Sequence, residues 1–343
     1  MAGVHVPDAA RGACCAVRKN PPDREVRMII VGGEALIDLV PEPQPRSWQA
    51  LPGGGPCNTA VALARLGHPA SFLGRLSRDA FGAEIRGQLA DSGVALDQVV
   101  WADEPATLAV VSMADDGSAT YGFYVVGTSD FSWRPAEQPV LPAACQAVHV
   151  GSLAAVLEPA ATVFRYLVDS AGSGVVRSFD PNVRPALDVP REEYRAHVER
   201  WVANSDVVRT SDEDLTWLYP DEPPLAAAHR WRQAGPAVVV VSRGAAGVTG
   251  VVADAEVEVP AGDVVVADTV GAGDSFTAGL LAAFAERGVL ERDALAALGE
   301  AELARCLRFA ADVAAVTCSR PGADPPWRTE LAATVAELEA DRG

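Results

Sequence analysis

Short apolar runs and segments of helical periodicity alternate along the second half of the chain. The runs are rich in valine, as buried strands are, whereas the segments between them space their apolar residues like amphipathic helices. The runs lie at 148–151, 175–180, 207–209 and 238–242, and the helical segments at 158–171, 191–203 and 225–234. This alternation predicts a mostly parallel sheet covered by helices on both faces.

The first half of the chain predicts a second kind of β-structure. Residues 28–40 read as one apolar strand, residues 41–52 as a proline-rich connection and residues 59–66 as a helix. Within 107–126, two runs of apolar character flank a glycine turn, which is the signature of a hairpin. A hairpin inserted in an otherwise alternating chain indicates a separate β flap.

Composition narrows the classes of function. The chain has 343 residues, of which 49% are apolar, and this is enough for one large α/β domain. Its net charge of −18 argues against nucleic acid and anionic membranes as partners, because both need a basic surface. The only lysine is Lys19, so mechanisms built on a lysine, such as P-loop phosphate binding or a Schiff base, are excluded for the rest of the chain. Arginine, backbone N–H groups and a metal ion remain as the means of holding a polyphosphate.

Cysteine usage and the absence of long apolar runs predict the compartment. The six cysteines form no C-x-x-C pair and the five histidines no metal-ligand spacing, so the cysteines read as reduced residues. No apolar run approaches the ~20 residues of a membrane span, and the N-terminus lacks the apolar core of a signal peptide. We therefore expect a cytoplasmic protein with a disordered extension over 1–27, a folded domain over 28–330 and a C-terminal helix or tail over 331–343.

The strongest candidate for chemistry is the segment Asp268-Thr-Val-Gly-Ala-Gly-Asp274. Residues 264–267 predict a short buried strand before it, and residues 275–284 a helix after it. A strand, a glycine turn and a helix start direct free N–H groups at one point, which makes an anion site. Asp274 fits the role of a base that takes a proton from a hydroxyl while those N–H groups hold a phosphoryl group. The pattern alone also allows a simpler interpretation, in which Asp274 is a helix N-terminal carboxylate stabilised by the dipole.

The glycine turn is one of a series of motifs along the chain. The others are Gly-Gly-Gly-Pro-Cys-Asn58, Asp79-Ala-Phe-Gly82, Asp180-Pro-Asn-Val-Arg184, Ser242-Arg-Gly-Ala-Ala-Gly247 and Arg320-Pro-Gly-Ala-Asp-Pro-Pro326. In this order, they resemble the motifs of the ribokinase (PfkB) family of carbohydrate kinases over about residues 28–327. Gly-Glu-Ala-Leu-Ile-Asp38 and the segment ending at Arg184 make the chain most similar to fructokinase-like members.

The resemblance implies a fold and an activity. The fold would be a ribokinase-like three-layer α/β/α sandwich, with a central mostly parallel sheet and a small β lid from about 40–52 and 97–128. The activity would be that of an ATP-dependent sugar kinase, a phosphotransferase that moves the γ-phosphoryl group of ATP to an alcohol group of a small sugar. Asp274 would be the catalytic base. The anion hole would be formed by Gly271, Ala272 and Gly273.

The resemblance also implies sugar and nucleotide sites. The sugar hydroxyls would be bound by Asp38, Gly53, Gly54, Asn58 and Arg184, and the nucleotide phosphates by Ser242, Arg243, Gly244 and Gly247. A carboxylate and an amide suit this task, because together they satisfy several hydroxyls. Asn58 could equally be a helix N-cap, and Arg243 a solvated surface arginine.

Mg²⁺ and a monovalent cation such as K⁺ are the cofactors that the resemblance implies beside ATP. Asp268 and the loop 318–322 resemble the elements that hold the monovalent cation, although Asp268 could instead have a structural hydrogen-bonding role. Many members have Asn-x-x-Glu near the metal-bound phosphates, whereas this chain has Arg209-Thr-Ser-Asp-Glu-Asp214. This departure leaves the water-mediated Mg²⁺ ligand open among Asp212, Glu213 and Asp214, of which Asp214 is our candidate.

The predicted hairpin matches the lid of the family, which would exclude water from the transfer step. Lids pair into a dimer in many members, so a homodimer through the lid is one expected arrangement. Three alternatives to a fructokinase-like enzyme stay open: a nucleoside kinase, a keto-deoxy-sugar-acid kinase and a non-catalytic sugar or nucleotide sensor. A dinucleotide-binding dehydrogenase is excluded, because Gly32-Gly33 is too sparse for a G-x-G-x-x-G turn.

Overall fold

The computed structural model describes residues 27–44, 46–113, 119–262 and 264–340. The predicted N-terminal extension, residues 1–27, lies outside the described residues apart from Arg27. The tip of the predicted hairpin and the last three residues of the predicted tail lie outside them too.

The described residues form fourteen strands and ten α-helices. In chain order the strands are β1 (Met28–Gly32), β2 (Leu36–Pro41), β3 (Trp48–Gly53), β4 (Ala70–Leu73), β5 (Arg75–Ser77), β6 (Val100–Ala102), β7 (Leu108–Met113), β8 (Ala119–Tyr124), β9 (Cys145–Gly151), β10 (Val176–Asp180), β11 (Val207–Ser211), β12 (Val238–Ser242), β13 (Val248–Val251) and β14 (Glu256–Val259). The helices are α1 (Gly55–Arg65), α2 (Ala80–Asp91), α3 (Ala160–Asp169), α4 (Arg191–Ala203), α5 (Asp212–Leu218), α6 (Pro224–Ala234), α7 (Ala272–Glu286), α8 (Arg292–Ala296), α9 (Glu300–Cys318) and α10 (Ala332–Glu339). None of these helices is both long and apolar enough to span a bilayer.

The large sheet has eight strands in the order β14-β13-β12-β11-β10-β9-β1-β4. The six neighbouring strands from β12 to β4 are parallel, and β13 and β14 are antiparallel additions at one edge. Parallel strands covered on both faces must be apolar throughout, and the four consecutive buried valines of β12 meet this requirement. The predicted α/β fold with a mostly parallel central sheet is therefore confirmed.

Two apolar cores lie on opposite faces of the large sheet. Ile29 and Val31 contribute to the core that also contains residues of α1, α7 and α9, whereas Ile30 contributes to the core with α3, α4 and α6. Successive side chains of a strand point to opposite faces, which is why β1 supplies both cores. Helix α7 is buried from Ser275 to Phe284. The glycine turn at its start is consequently anchored to a packed helix.

The predicted single strand over 28–40 is wrong, because the structure divides this stretch between two sheets. β1 joins the large sheet, whereas β2 joins a small sheet with the order β3-β2-β7-β8. The chain turns at Gly33, whose φ of 153° suits glycine, and a Cβ there would lie 2.3 Å from Cγ of Pro56. Part of the predicted connection over 41–52 is likewise a strand, β3. Apolar character indicates burial, but it does not show which sheet a residue joins.

The predicted buried strand over 264–267 is also wrong. These residues form no strand, and Val265 and Val266 are 89% and 58% exposed. The large sheet ends at β14, so the run has no strand beside it; instead the N–H groups of Ala267 and Asp268 donate to the carbonyl of Cys318 at the end of α9. The valines therefore form an exposed apolar surface directly before the glycine turn.

Two buried carboxyl groups hold the junction between the large and small sheets. Asp130 accepts hydrogen bonds from Ala35 N at 2.8 Å and from Thr107 Oγ1 at 2.5 Å, so it ties together the segments that enter β2 and β7. Glu34 Oε2 accepts from Ala154 N at 3.0 Å. Burial raises the pKa of Glu34 to about 7 and that of Asp130 to about 6, although their hydrogen bonds oppose the rise.

Replacing Glu34 with glutamine is expected to make stability less dependent on pH. A carboxyl group whose pKa is raised by folding contributes its stability in full below its unfolded pKa, and this contribution is lost as the pH rises through the folded value of about 7. The rise in the pKa of Glu34 from 4.5 to about 7 corresponds to about 3 kcal/mol of free energy of unfolding. As the pH rises from 5 to 8, the free energy of unfolding of the wild type should therefore fall by up to this amount relative to that of Glu34→Gln.

Thermal unfolding of both proteins over this pH range measures the effect. Glu84→Gln, at an exposed position of α2, controls for the removal of one carboxyl group. If the difference between Glu34→Gln and the wild type stayed constant from pH 5 to pH 8, the raised pKa of Glu34 would be contradicted.

Candidate active site

Polar residues lie at the carboxyl ends of the parallel strands, along one edge of the large sheet. Ser152 follows β9, Asp180 ends β10 and Ser242 ends β12. The start of α7 lies at the same edge, because Gly273 packs against Arg209 of β11. Ligands of parallel sheets bind beyond the carboxyl ends of the strands, so this edge is the candidate site.

The glycine turn begins α7. Gly271 is the N-cap, with a φ of 74° that favours glycine. Of the predicted donors, Ala272 N already donates to Thr269 O at 3.2 Å. The first turn of a helix leaves further N–H groups without intrahelical acceptors. Those of Gly271, Gly273 and Asp274 are therefore the donors that an anion could use.

Asp274 lies against the start of α1. Asn58 Nδ2 donates to Asp274 Oδ2 at 2.9 Å, although the two residues are 216 positions apart. A Cβ on Gly55 would lie 3.1 Å from Asp274 Oδ1 and 2.9 Å from Asn182 Nδ2, so the missing side chain at Gly55 allows α1 to approach both. Two helix starts and the loop after β10 thus meet around one carboxylate.

The surroundings of Asp274 suit a base that works at neutral pH. Burial raises its pKa to about 6, although the hydrogen bond from Asn58 and the charge of Arg184 oppose the rise. Because this pKa is below 7, the carboxylate is mostly ionised at neutral pH, and it is a stronger base than a solvated aspartate. It can accept a proton from a hydroxyl placed beside it.

Asp38 of β2 brings a second carboxylate to this edge. Burial raises its pKa to about 6, while Arg184 lowers the pKa and Asp274 raises it further. A Cβ on Gly53 would lie 2.1 Å from Asp38 Oδ2, so the carboxylate covers that glycine. Gly54 follows as the N-cap of α1 with a φ of 100°. These residues place the end of β3 and the start of α1 beside both acids.

Arg184 interacts electrostatically with both Asp38 and Asp274. Its positive charge lowers the pKa of Asp38 and of Asp274. Its Nη1 donates to the carbonyl oxygens of Asn182 at 3.2 Å and Val183 at 3.1 Å, which fixes the side chain over its own loop. The side chain is partly exposed, so its remaining donors can serve a ligand.

The predicted nucleotide loop follows β12 at the same edge. Gly244 and Gly247 have φ values of 51° and 87°, and a Cβ on Gly247 would lie 2.2 Å from the carbonyl oxygen of Val259. The turn therefore requires glycine at Gly247. Ser242 Oγ accepts from Arg209 Nη2 at 2.6 Å, which holds this hydroxyl on the side of the glycine turn.

Arg243 and Asp214 are engaged with other parts of the protein. Arg243 Nη2 pairs with Glu258 Oε1 at 3.1 Å. Asp214 is buried, and its oxygens accept from Val183 N at 2.9 Å and Ser211 N at 3.1 Å. Arg243 therefore belongs to an ion pair with β14, and Asp214 to a capping box that also holds the loop after β10.

Asp268 connects the glycine turn to the loop after α9. Its Oδ2 accepts from Gly322 N at 2.8 Å and its Oδ1 from Val270 N at 3.1 Å. The carboxylate thus holds the predicted 318–322 loop in place. Each oxygen keeps a further lone pair that a cation could use.

Ser152, Asn182 and Arg209 also lie at this edge, although the sequence assigned none of them a catalytic or binding role. Ser152 and Asn182 have positive φ values of 58° and 38°, a strained conformation that is concentrated at functional sites. A motif contains no information on backbone conformation, so this signal needs the structure. Arg209 did carry a signal, because a basic residue within the apolar run of β11 has to be paired or functional.

Two comparisons of the sequence identify its relatives. The family model described as "pfkB family carbohydrate kinase" matches residues 26–330. A fructokinase of Rhizobium leguminosarum bv. trifolii is 37% identical over 281 residues, which cover 80% of this chain and 85% of that protein.

Solved structures of fructokinases share the fold. The fructokinase of Xylella fastidiosa with bound ATP matches with a TM-score of 0.83 at 30% identity, covering 91% of this chain and 99% of that one. A double mutant of the fructokinase of Vibrio cholerae O395, with fructose, ADP and a potassium ion bound, matches with a TM-score of 0.76 at 28% identity. It covers 92% of this chain and 99% of that one.

Proposed function

The chain belongs to the pfkB family of carbohydrate kinases, and on this premise we propose that it transfers the γ-phosphoryl group of ATP to a hydroxyl of fructose. Membership confirms the resemblance of the motifs and makes the chain a sugar kinase with the ribokinase-like fold. Fructose is the favoured acceptor because relatives that cover most of the chain are fructokinases. The roles of individual residues are part of the proposal.

The observation that carries the proposal is the hydrogen bond between Asn58 and Asp274. It places the amide predicted to bind the sugar directly on the carboxylate predicted to act as base. A hydroxyl bound by Asn58 would therefore lie within reach of Asp274, as general-base catalysis requires.

The reaction that fits this arrangement is an in-line phosphoryl transfer. The sugar hydroxyl gives its proton to the Asp274 carboxylate, and its oxygen forms a bond to the γ-phosphorus. The bond from that phosphorus to the oxygen it shares with the β-phosphate breaks, which releases ADP. The N–H groups of Gly273 and Asp274, at the positive end of α7, would stabilise the negative charge on the phosphoryl oxygens.

The sugar side of the site has an unsatisfied buried acceptor that suits a hydroxyl group. Asn58 Oδ1 is buried and has no hydrogen-bond partner among the described residues. Asp38 adds a carboxylate, and Arg184 adds donors beside it. A sugar with several hydroxyls would satisfy these groups together, whereas an analogue lacking one hydroxyl would leave a buried acceptor unpaired.

Mg²⁺ would arrive with the phosphates of ATP, where it would neutralise charge on the β- and γ-phosphoryl groups. Hard oxygen donors suit this ion, and the start of α5 offers three carboxylates. We keep Asp214 as the candidate that reaches the ion through water. Because its oxygens already accept two backbone hydrogen bonds, the more exposed Asp212 and Glu213 are the alternatives.

A monovalent cation such as K⁺ would lie beside Asp268. The support is the position of this carboxylate, which joins the glycine turn to the loop after α9. An ion bound there would stiffen the turn that holds the phosphoryl group. The double mutant of the related fructokinase of Vibrio cholerae O395 has a potassium ion bound together with fructose and ADP.

The small sheet would act as a lid and as a dimer contact. Its outer strands are β3 and β8, and their exposed aromatic residues are Trp48, Tyr121 and Tyr124. Unpaired sheet edges and exposed aromatic side chains are both typical of association surfaces. Sedimentation velocity would test the homodimer, and a monomer at micromolar concentration would contradict it.

A coupled assay of ADP release tests the proposed function. We expect the highest kcat/KM with fructose in a panel that also contains other hexoses, pentoses, a keto-deoxy sugar acid and nucleosides. Release of ADP with only a nucleoside or only the sugar acid would replace fructose by that class, and no release with any acceptor would favour a sensor. Repeating the assay with K⁺ exchanged for tetramethylammonium tests the proposed cation site. An unchanged rate would contradict that site.

A further inference from the structure

Arg209 is a buried cation beneath the glycine turn. It is the third residue of β11 and is only 9% exposed. Burial of a guanidinium group costs free energy unless the group is paired. Its contacts therefore indicate why a strand of the central sheet contains an arginine.

Three elements meet at the guanidinium group of Arg209. Nη1 donates to Asp180 Oδ2 at 3.0 Å and Nη2 donates to Ser242 Oγ at 2.6 Å. On the side of α7, a Cβ added to Gly273 would lie 2.6 Å from Nη1 and 3.1 Å from Cζ. The guanidinium group thus packs directly on the backbone of the turn that is proposed to hold the phosphoryl group. Its Nε–H has no hydrogen-bond partner in the described part of the chain.

The charges at this edge require a fixed cation. Burial lowers the pKa of Arg209, but the negative charges of Asp180, Asp214 and Asp274 outweigh this and raise it, so the group stays charged. Phosphate groups would add negative charge beside these three acids. The only lysine of the chain is Lys19, which lies outside the described residues, so arginine is the side chain among the described residues that can add a fixed positive charge to that of Mg²⁺.

We propose that Arg209 is a positioning residue for phosphoryl transfer. Its guanidinium group packs against the Gly273 turn and orients the hydroxyl of Ser242. It also offsets the negative charge of the phosphate groups that would bind between this turn and Ser242. Arg209 exchanges no proton and forms no covalent bond in the reaction. The inference rests on the proposed function, because it assigns a role within the same site.

A purely structural ion pair between β10 and β11 is the rival explanation. In that case, removing Arg209 alone would be harmful because Asp180 would be left buried and unpaired. Removing both partners together would then restore the protein. If Arg209 also serves the phosphate groups, the double variant regains stability but not function.

The experiment compares Asp180→Asn with the double variant Asp180→Asn/Arg209→Met, so that both proteins lack the Asp180 charge. We expect Arg209→Met alone to lower the melting temperature and the double variant to recover most of the loss. At saturating fructose and ATP, kcat of the double variant should stay about 10- to 100-fold below that of Asp180→Asn. Arg209→Lys, which keeps the charge without the planar fork, should fall between them.

Calorimetric binding of a non-hydrolysable ATP analogue provides a readout that needs no acceptor. We expect its Kd to rise about tenfold or more from Asp180→Asn to the double variant, while the Kd of adenosine stays the same. Equal kcat and equal analogue binding in the two proteins would overturn the proposal, as would a parallel loss of adenosine binding. If no acceptor supports ADP release, the proposed function fails, and analogue binding alone still decides the role of Arg209.

Discussion

Asp274→Asn should lower kcat by about 10²- to 10⁴-fold, the contribution typical of a general base. The asparagine side chain has nearly the same shape and can still accept the hydrogen bond from Asn58, so the KM for the sugar should change little. What is lost is the ability to take the hydroxyl proton. Steady-state kinetics with the acceptor identified by the panel measure both parameters.

The pH profile adds a second test of Asp274. Because burial raises its pKa to about 6, the base becomes protonated below that value, and kcat/KM of the wild type should fall tenfold per pH unit there. Asp274→Asn should lack this descent, apart from any part that belongs to Asp38, whose pKa is also raised to about 6. Asp293→Asn, in the exposed first turn of α8, controls for the loss of a helix N-terminal carboxylate. Near-normal turnover of Asp274→Asn would mean that Asp274 only stabilises its helix.

The layered fold could be predicted from the sequence because its strands are uniformly apolar. The buried valines of β12 leave few alternatives to a central parallel strand. The same reasoning failed for Val265 and Val266, which have equal apolar character but no neighbouring strand to pair with. It failed again at Gly33, where the chain passes from one sheet to the other. Burial depends on the elements that surround a segment, and periodicity describes only the segment itself.

The sequence could predict residues of the site but not the contacts between them. Motifs singled out Asn58 and Asp274 separately, and their hydrogen bond results from the packing of α1 against α7 on one face of the large sheet. The contact between Arg209 and Gly273 depends in the same way on how α7 lies over β11. No spacing within the sequence contains that distance. Motifs likewise do not show that Ala272 N, one of the predicted donors of the anion hole, donates to Thr269 O within the turn.

Gly273→Ala should lower kcat by about 10²- to 10³-fold, the usual cost of losing one oxyanion-hole donor. The added Cβ would lie 2.6 Å from Arg209 Nη1, and the guanidinium cannot simply move aside, because Asp180 and Ser242 hold it. The turn must shift instead, which misdirects the N–H groups of Gly273 and Asp274. The turn accommodates a methyl group at the neighbouring position, where the chain has Ala272.

The melting temperature provides a second test of Gly273→Ala, because it should change in the opposite direction to that of a control glycine-to-alanine variant. Alanine is a better helix former than glycine by about 1 kcal/mol, so Gly87→Ala in α2, where a Cβ meets nothing within 4 Å, should raise the melting temperature. Gly273→Ala should lower it, because the clash with Arg209 outweighs the gain in helix propensity. In an Arg209→Met background, the same glycine-to-alanine change should cost much less kcat than in the wild type, since the two residues are in contact. Equal losses in both backgrounds would show that the clash is not the cause.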